Sequence, residues 1–294
     1  MAEIAIALAE ALSRRREGGE PGRTVPRVIA RGRGWTVADV VCTCGPSDRP
    51  YEERHAGYSI AVVLAGSFRY RSMEGHALMT PGSLMLGNQG QCFECGHEHR
   101  EGDRCVAFWY GAEQFERLVA DSGQRVPAHF PVPRLPPLRA LAPLVAAAAV
   151  GVAGTAEISW EELGVRLAAH TIRLATGVPA DPRGLPRNAE ARVSGAVRTI
   201  DDDPHEQLTL ETLATESGLS PYHFLRTFER LTGVTPHQYV LRARLRKAAL
   251  RLADGAERIT DVAFDCGFGD ISNFNRAFRG EFGVSPRAFR LSLG

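Results

Sequence analysis

The sequence predicts an α+β fold: an antiparallel β domain with flanking helices, then an all-α domain carrying two helix-turn-helix motifs. Three observations predict it. Between Arg27 and Tyr110, short apolar runs alternate with Gly and Pro, the texture of a β-sandwich or barrel. After Gly111, apolar residues recur at helical spacing instead. From Leu208 to Pro286 one pattern is written twice, about fifty residues apart, which marks a repeated supersecondary unit. At 294 residues the chain has length enough for two domains with sizeable cores.

Residues 1–26 read as a short amphipathic helix followed by a loose Gly-, Pro- and Arg-rich segment from Glu17. The start does not have the form of a secretory leader. It lacks a basic opening, carries Glu3 and Glu10 inside its apolar stretch, and places Arg14 to Arg16 after it. No apolar run approaches the ~18 residues a membrane helix needs, so no span is expected and the protein is read as cytoplasmic. Six cysteines in such a chain suggest thiols or metal ligands before disulfides.

Residues 27–111 form the β domain, with strands expected at Trp35–Cys42, Tyr58–Leu64, Phe68–Arg71, Ser83–Leu86, Gln91–Cys95 and Cys105–Tyr110. Residues 112–177 are helical. They are expected either to pair two subunits or to cover the β domain, because an apolar helix face does not name what buries it. The Pro- and Gly-rich stretch 178–189 is the linker, and 190–294 the C-terminal domain, opened by a helix over Ala191–Asp202.

Each copy of the repeat has helix-turn-helix logic. Apolar residues at helical spacing (Leu210, Leu213, Ala214; Ile259, Val262, Ala263) lead into a glycine, Gly218 or Gly267, where the turn favours positive φ. Ser220 and Asp270 can cap the second helices, which bury Phe224 and Phe228 or Phe274 and Phe278 at i, i+4. The opposite faces stay free for a DNA major groove. Arg226 and Arg276 offer planar forks matching the guanine edge, Asn275 can pair adenine, and Leu225 or Ile271 can pack on a thymine methyl. A helix from about Pro236 to Asp254, capped by Thr235 and stopped at Gly255, joins the copies as a rigid spacer. Its Arg242, Arg244, Arg246, Lys247 and Arg251 add to a basic stripe suited to phosphates, although the whole chain carries a net charge of only +1.

The paired motifs ALATESGLSPYHFLRTFERLTGVTPHQY and ITDVAFDCGFGDISNFNRAFRGEFGVSPRAFR, with the helix between them, resemble the AraC/XylS family of bacterial transcription regulators. The resemblance covers roughly the last hundred residues. It implies base contacts at Tyr222, Leu225, Arg226, Ile271, Ser272, Asn275 and Arg276, and phosphate contacts at Arg230, Asn273 and Arg279. It also implies a double-stranded operator, a small-molecule or metal effector, RNA polymerase as partner of an activator, and a homodimer built on the helical segment. The order His55, Gly66-Ser67-Phe68, Pro81-Gly82-Ser83, His97 more loosely resembles the cupin-like jelly roll that precedes this domain in many relatives.

The run Gln91-Cys92-Phe93-Glu94-Cys95-Gly96-His97-Glu98-His99, followed by Cys105, stands apart from these patterns. In a strand Cys95, His97 and His99 share one face, and a turn over Arg100–Asp103 would return Cys105 beside them. Cys92, Cys95, His97, His99 and Cys105 could hold zinc or another transition metal, with Cys42 and Cys44 completing the shell from another strand. The spacing matches no standard structural zinc pattern. Two readings stand beside metal: thiol-based sensing of oxidants or electrophiles, and buried cysteines acting as small hydrophobes. Cys266 is read as core.

Together these features describe a regulator with a sensor domain and a DNA-reading domain, without catalytic residues. Two rivals remain: a metal-dependent cupin-type enzyme fused to a DNA-binding domain, and an Ada-like regulator that accepts a methyl group on cysteine.

Overall fold

The computed structural model describes residues 2–50, 52–97, 101–122, 128–176, 187–206 and 208–292, and the chain divides into two compact units. The first unit, residues 4–138 and 159–186, contains the β domain. A helix, α1 (Ala2–Gly18), precedes β1 (Thr24–Gly32), β2 (Trp35–Cys42), β3 (Glu52–Arg54), β4 (Tyr58–Gly66), β5 (Phe68–Ser72), β6 (Gly75–Met79), β7 (Leu84–Gly87), β8 (Cys92–Gly96) and β9 (Asp103–Tyr110). Next come α2 (Ala112–Asp121), β10 (Arg134–Leu135), α3 (Ala142–Ala153) and α4 (Trp160–Ala175).

One sheet runs β1-β2-β9-β4-β7-β10 and the other β3-β8-β5-β6, with antiparallel pairing throughout. The chain changes sheet between β2 and β3, β3 and β4, β4 and β5, β6 and β7, β7 and β8, and β8 and β9, which is jelly-roll winding. The six expected strands are all present. The loose segment ends earlier than expected, because Thr24, Val25 and Pro26 already belong to β1. That strand is the sheet edge, where Pro26 can forgo a ladder donor.

Inward residues of both sheets make the core, with Ala61, Val63, Tyr70, Met79 and Ala107 at most 5% exposed. Two helices lie on this unit. Phe115 of α2 stacks on Tyr58 at 4.1 Å between ring centroids, and Gly164 of α4 accepts a hydrogen bond from the Tyr110 hydroxyl at 2.8 Å. On α1, Arg15 pairs with Asp48 at 2.7 Å, tying the helix to the loop after β2.

The second unit holds residues 139–158 and 187–294, so the 112–177 segment is not one body. Its middle helix α3 joins the C-terminal unit, with Ala146 buried in the cluster that contains Leu245, Ala249, Phe278 and Phe282. Alanine-rich and apolar on most sides, α3 offered the sequence no one-sided stripe from which to assign a neighbour. Most of the expected linker lies outside the described residues. Helix α5 (Arg187–Asp202) begins inside its last residues, four positions before the expected start. The unit continues with α6 (Leu210–Glu216), α7 (Pro221–Thr232), α8 (Pro236–Asp254), α9 (Ile259–Asp265), α10 (Ile271–Phe282) and α11 (Pro286–Leu291).

Candidate DNA-reading helices and sensor cavity

The helix pairs α6–α7 and α9–α10 are built alike. Gly218 and Gly267 turn the chain at φ +63° and +86°. At Gly267 a Cβ would also stand 2.8 Å from the His205 Cα, so glycine is required there twice over. Ser220 accepts the amide of His223, and Asp270 that of Asn273, capping α7 and α10 as the sequence implied. Phe224 and Phe228, like Phe274 and Phe278, are fully buried. Between the pairs, α8 runs from Pro236 to Asp254 with a Thr235–Gln238 capping box, the bounds the sequence implied.

Burial of one face leaves the other outward. Tyr222, Arg226 and Arg230 of α7 are exposed and Leu225 half-buried, while on α10 Ser272, Asn273, Asn275, Arg276 and Arg279 are exposed and Ile271 half-buried. Arg226 donates to the Tyr222 hydroxyl at 3.1 Å and lies over its ring at 5.9 Å, which holds the guanidinium fork on the surface of α7. Asn273 stands at 3.5 Å from Arg276, the outer limit of a hydrogen bond.

In the first unit a cavity of about 130 Å³ lies between the two sheets. Its walls are largely apolar and aromatic, with Phe68, Met85, Phe93 and Trp109 among them, and its polar groups concentrate in two places. In one, His55 stacks on Phe93 at 4.1 Å and approaches the Tyr70 hydroxyl at 2.9 Å. Tyr70 gives its own proton to the Leu86 carbonyl, so the His55 Nε2–H is the donor to Tyr70, and Nδ1 accepts from Ser59. Burial holds the His55 pKa down to about 4.

The second polar group joins Cys42, Cys95, His97, Asp103 and Cys105. His97 Nε2 lies 2.6 Å from Asp103 Oδ1, and Cys105 donates to Asp103 Oδ2 at 3.3 Å. Burial pulls His97 down, but the Asp103 carboxylate and Cys42 more than offset it and push its pKa up to about 10. The Cys42 thiol is pushed up by its hydrogen bond with Cys44 and by burial, and burial raises Cys95 and Cys105. Cys44 alone in this neighbourhood is lowered, through the same bond to Cys42.

The structure divides the expected Cys/His set. Cys95, His97 and Cys105 meet in the cavity. Cys92 does not, because period-two alternation along β8 turns it to the other side of the strand, beside Glu52. His99 lies outside the described residues. Cys42 is present as a completing residue, whereas Cys44 touches the group only through Cys42. Asp103 is an addition. The sequence offered it only as a turn residue, although it opens β9 two positions before Cys105 and therefore shares that residue's face.

Residues 213–292 match a family described as a helix-turn-helix domain. Over 103 residues the chain is 38% identical to the HTH-type transcriptional activator RhaS of Klebsiella pneumoniae (strain 342), and 39% identical to RhaS of Enterobacter sp. (strain 638). The C-terminal domain belongs to the AraC/XylS family. The match takes in 35% of this chain, which spans 37% of the length of those curated relatives. Among solved structures, the DNA-binding domain of AdpA in complex with a target DNA covers 34% of this chain and 91% of its own, at 32% identity and a TM-score of 0.33. ToxT from Vibrio cholerae O395 covers 89% of this chain and 99% of its own, at 15% identity and a TM-score of 0.36.

Within the AraC/XylS domain the arginines serve two purposes, and the expected basic stripe on α8 needs correction. Arg244 donates to the carbonyls of Pro204, Gly267 and Glu206 at 2.6, 2.8 and 2.9 Å. Arg242 pairs with Glu281 at 3.3 Å, Arg246 with Asp201 at 3.1 Å, and Arg251 with Glu257 and Asp265. These four hold the domain's helices together rather than standing ready for phosphate. A linear sequence shows their charge but not the carboxylates and carbonyls that the fold brings to them.

Proposed function

We propose that the protein is a sequence-specific transcription regulator. In this reading its AraC/XylS domain binds a double-stranded DNA operator, and its jelly roll takes up the signal that sets the binding. One observation carries it: Arg226 and Arg276 occupy equivalent, outward positions on two capped helices whose opposite faces are spent on the core. Duplicated reading heads on one stiff helix are what two successive major-groove contacts require.

The cavity between the sheets supports the sensing half, being mostly apolar by surface and provided with few polar groups. Signal uptake changes operator affinity only through unequal binding to two arrangements of the protein. The RhaS relatives are named as activators, which favours activation through contact with RNA polymerase. Homodimerisation and a cytoplasmic location complete the reading, and among the described residues no helix is long and apolar enough to cross a membrane.

The test is selection of binding sites from a random duplex library with the full chain, followed by affinities for the selected and scrambled sequences. A shared motif and a large preference for it are expected. Enrichment of no motif would overturn the reading.

A further inference from the structure

We propose that the cysteine–histidine end of the jelly-roll cavity is a site for a borderline transition-metal ion, zinc or cobalt in kind, held by Cys42, His97, Asp103 and Cys105. The proposal deepens the sensing half of the function proposed above and rests on that reading for its consequence at DNA.

Geometry comes first. The Cys42 sulfur, a His97 ring nitrogen and an Asp103 carboxylate oxygen all lie within 4.8 Å of one another, and each residue is 5% exposed. They come from three separate stretches: the end of β2, the residue after β8, and the first residue of β9. Cys105, two positions along β9, stands outside that mutual 4.8 Å set, but its sulfur is 3.3 Å from the second Asp103 oxygen and a side-chain movement would bring it in as the fourth donor.

The donor set then selects the ion. Two sulfurs, one imidazole and one carboxylate suit a four-coordinate zinc-like ion, whereas calcium and magnesium want six or more oxygens. Ligand atoms on a tetrahedral ion stand about 3.3 Å apart when its bonds are about 2.0–2.1 Å long. His97 Nε2 and Asp103 Oδ1, now at 2.6 Å, would therefore part by less than ~1 Å to admit it. On binding, Cys42 and Cys105 release their thiol protons and His97 the ring proton it now shares with Asp103, all to solvent, and the ion replaces the hydrogen bonds the four groups now make among themselves. Because β8 belongs to one sheet and β2 and β9 to the other, the ion would clamp the two sheets at this end of the cavity.

The ordinary alternative is a buried His97–Asp103 ion pair with two neutral thiols beside it. Full-length protein, reduced and stripped of metal by a chelator, is titrated with Co²⁺ and then Zn²⁺ under anaerobic conditions. One Co²⁺ per chain is expected, with thiolate-to-cobalt charge-transfer absorption and tetrahedral ligand-field bands that Zn²⁺ abolishes. Cys42→Ser and Asp103→Asn should each weaken binding at least ~100-fold. Cys92→Ser, on the other side of β8, should bind as the parent does. A second measurement needs no substitution: Zn²⁺ should protect Cys42 and Cys105, but not Cys92, from alkylation read by peptide mass. Cobalt spectra without thiolate bands, or alkylation of Cys42 and Cys105 that Zn²⁺ leaves unchanged, would overturn the site. Operator affinity is measured separately on the same samples. Intact metal binding with no operator preference would sink the regulator reading alone, and operator binding without a thiolate site would sink only the metal.

Discussion

Gly66 lies opposite Asp103 in the β4–β9 ladder, so close that a Cβ on Gly66 would stand 2.4 Å from the Gly102 carbonyl oxygen and 2.7 Å from the Asp103 Cα. Its φ of +78° is one that side chains resist. The pairing register shifts just before it, between Val63 and Ala65, so β4 reaches the cysteine–histidine end of the cavity with its last residue bare. Gly66→Ala should therefore cost stability twice, through backbone strain of about 1–3 kcal/mol and through displacement of Asp103. Urea unfolding measures the sum. A loss below ~0.5 kcal/mol, the range of an ordinary surface change, would show that the strands do not close as described.

At the DNA-reading helices, Arg226→Ala and Arg276→Ala should each cost about 1–3 kcal/mol of discrimination, roughly 5- to 150-fold, on the selected operator. Affinity for scrambled duplex should change far less. Fluorescence anisotropy on the two duplexes at one fixed salt concentration gives both numbers. Equal losses on both would place these side chains at phosphates. Tyr222→Phe removes only the hydroxyl that Arg226 reaches at 3.1 Å, and a smaller loss of the same kind is expected from it.

The C-terminal domain was legible because its signals are local. Caps, turn glycines and the i, i+4 phenylalanines sit within a few residues of what they control, so α8 and the bounds of both turns follow from the chain itself. The sensor domain was legible in its long strands and not in its edges. β3 and β10 have three and two residues, too few for alternation to show, and β1 carries a proline. Period two alone separates Cys95 and His97 from Cys92. Asp103 shares the Cys105 face of β9 by the same period, but its place at the turn hid that it begins the strand, and the partners of Arg244 are backbone carbonyls, which no side-chain pattern reveals.

Two arginines of the AraC/XylS domain should separate charge from structure. Arg279 is exposed on α10. Arg279→Ala should weaken binding to every duplex alike and lower the slope of log affinity against log salt by about 1. Arg244→Ala strands three carbonyls, of Pro204, Glu206 and Gly267, and should destabilise the domain by about 3 kcal/mol while leaving that slope unchanged. Salt titrations and thermal melts on both variants make the comparison. A reduced salt slope in a folded Arg244→Ala protein would return Arg244 to the phosphate-binding set.

His55 gives the sensor domain a dependence on pH whose sign follows from its environment. Burial among Phe93, Tyr70 and Ser59 lowers its folded pKa to about 4, with the Glu74 carboxylate opposing only in part, while in the unfolded chain it titrates near the ordinary ~6.5. Between those values the unfolded state holds a proton that the native state refuses, so stability rises with pH across this window. The contribution is complete above about pH 6.5 and is lost as pH falls towards 4, about 3 kcal/mol in all for a group this buried. His55→Gln can keep a donor towards Tyr70 but has no titration in this range. It should flatten the rise in unfolding free energy between about pH 4 and 6.5 relative to the parent, whatever constant stability it loses at neutral pH. Urea unfolding of both proteins across that window decides it: parallel curves would mean that His55 is protonated in the native state as readily as in the unfolded chain.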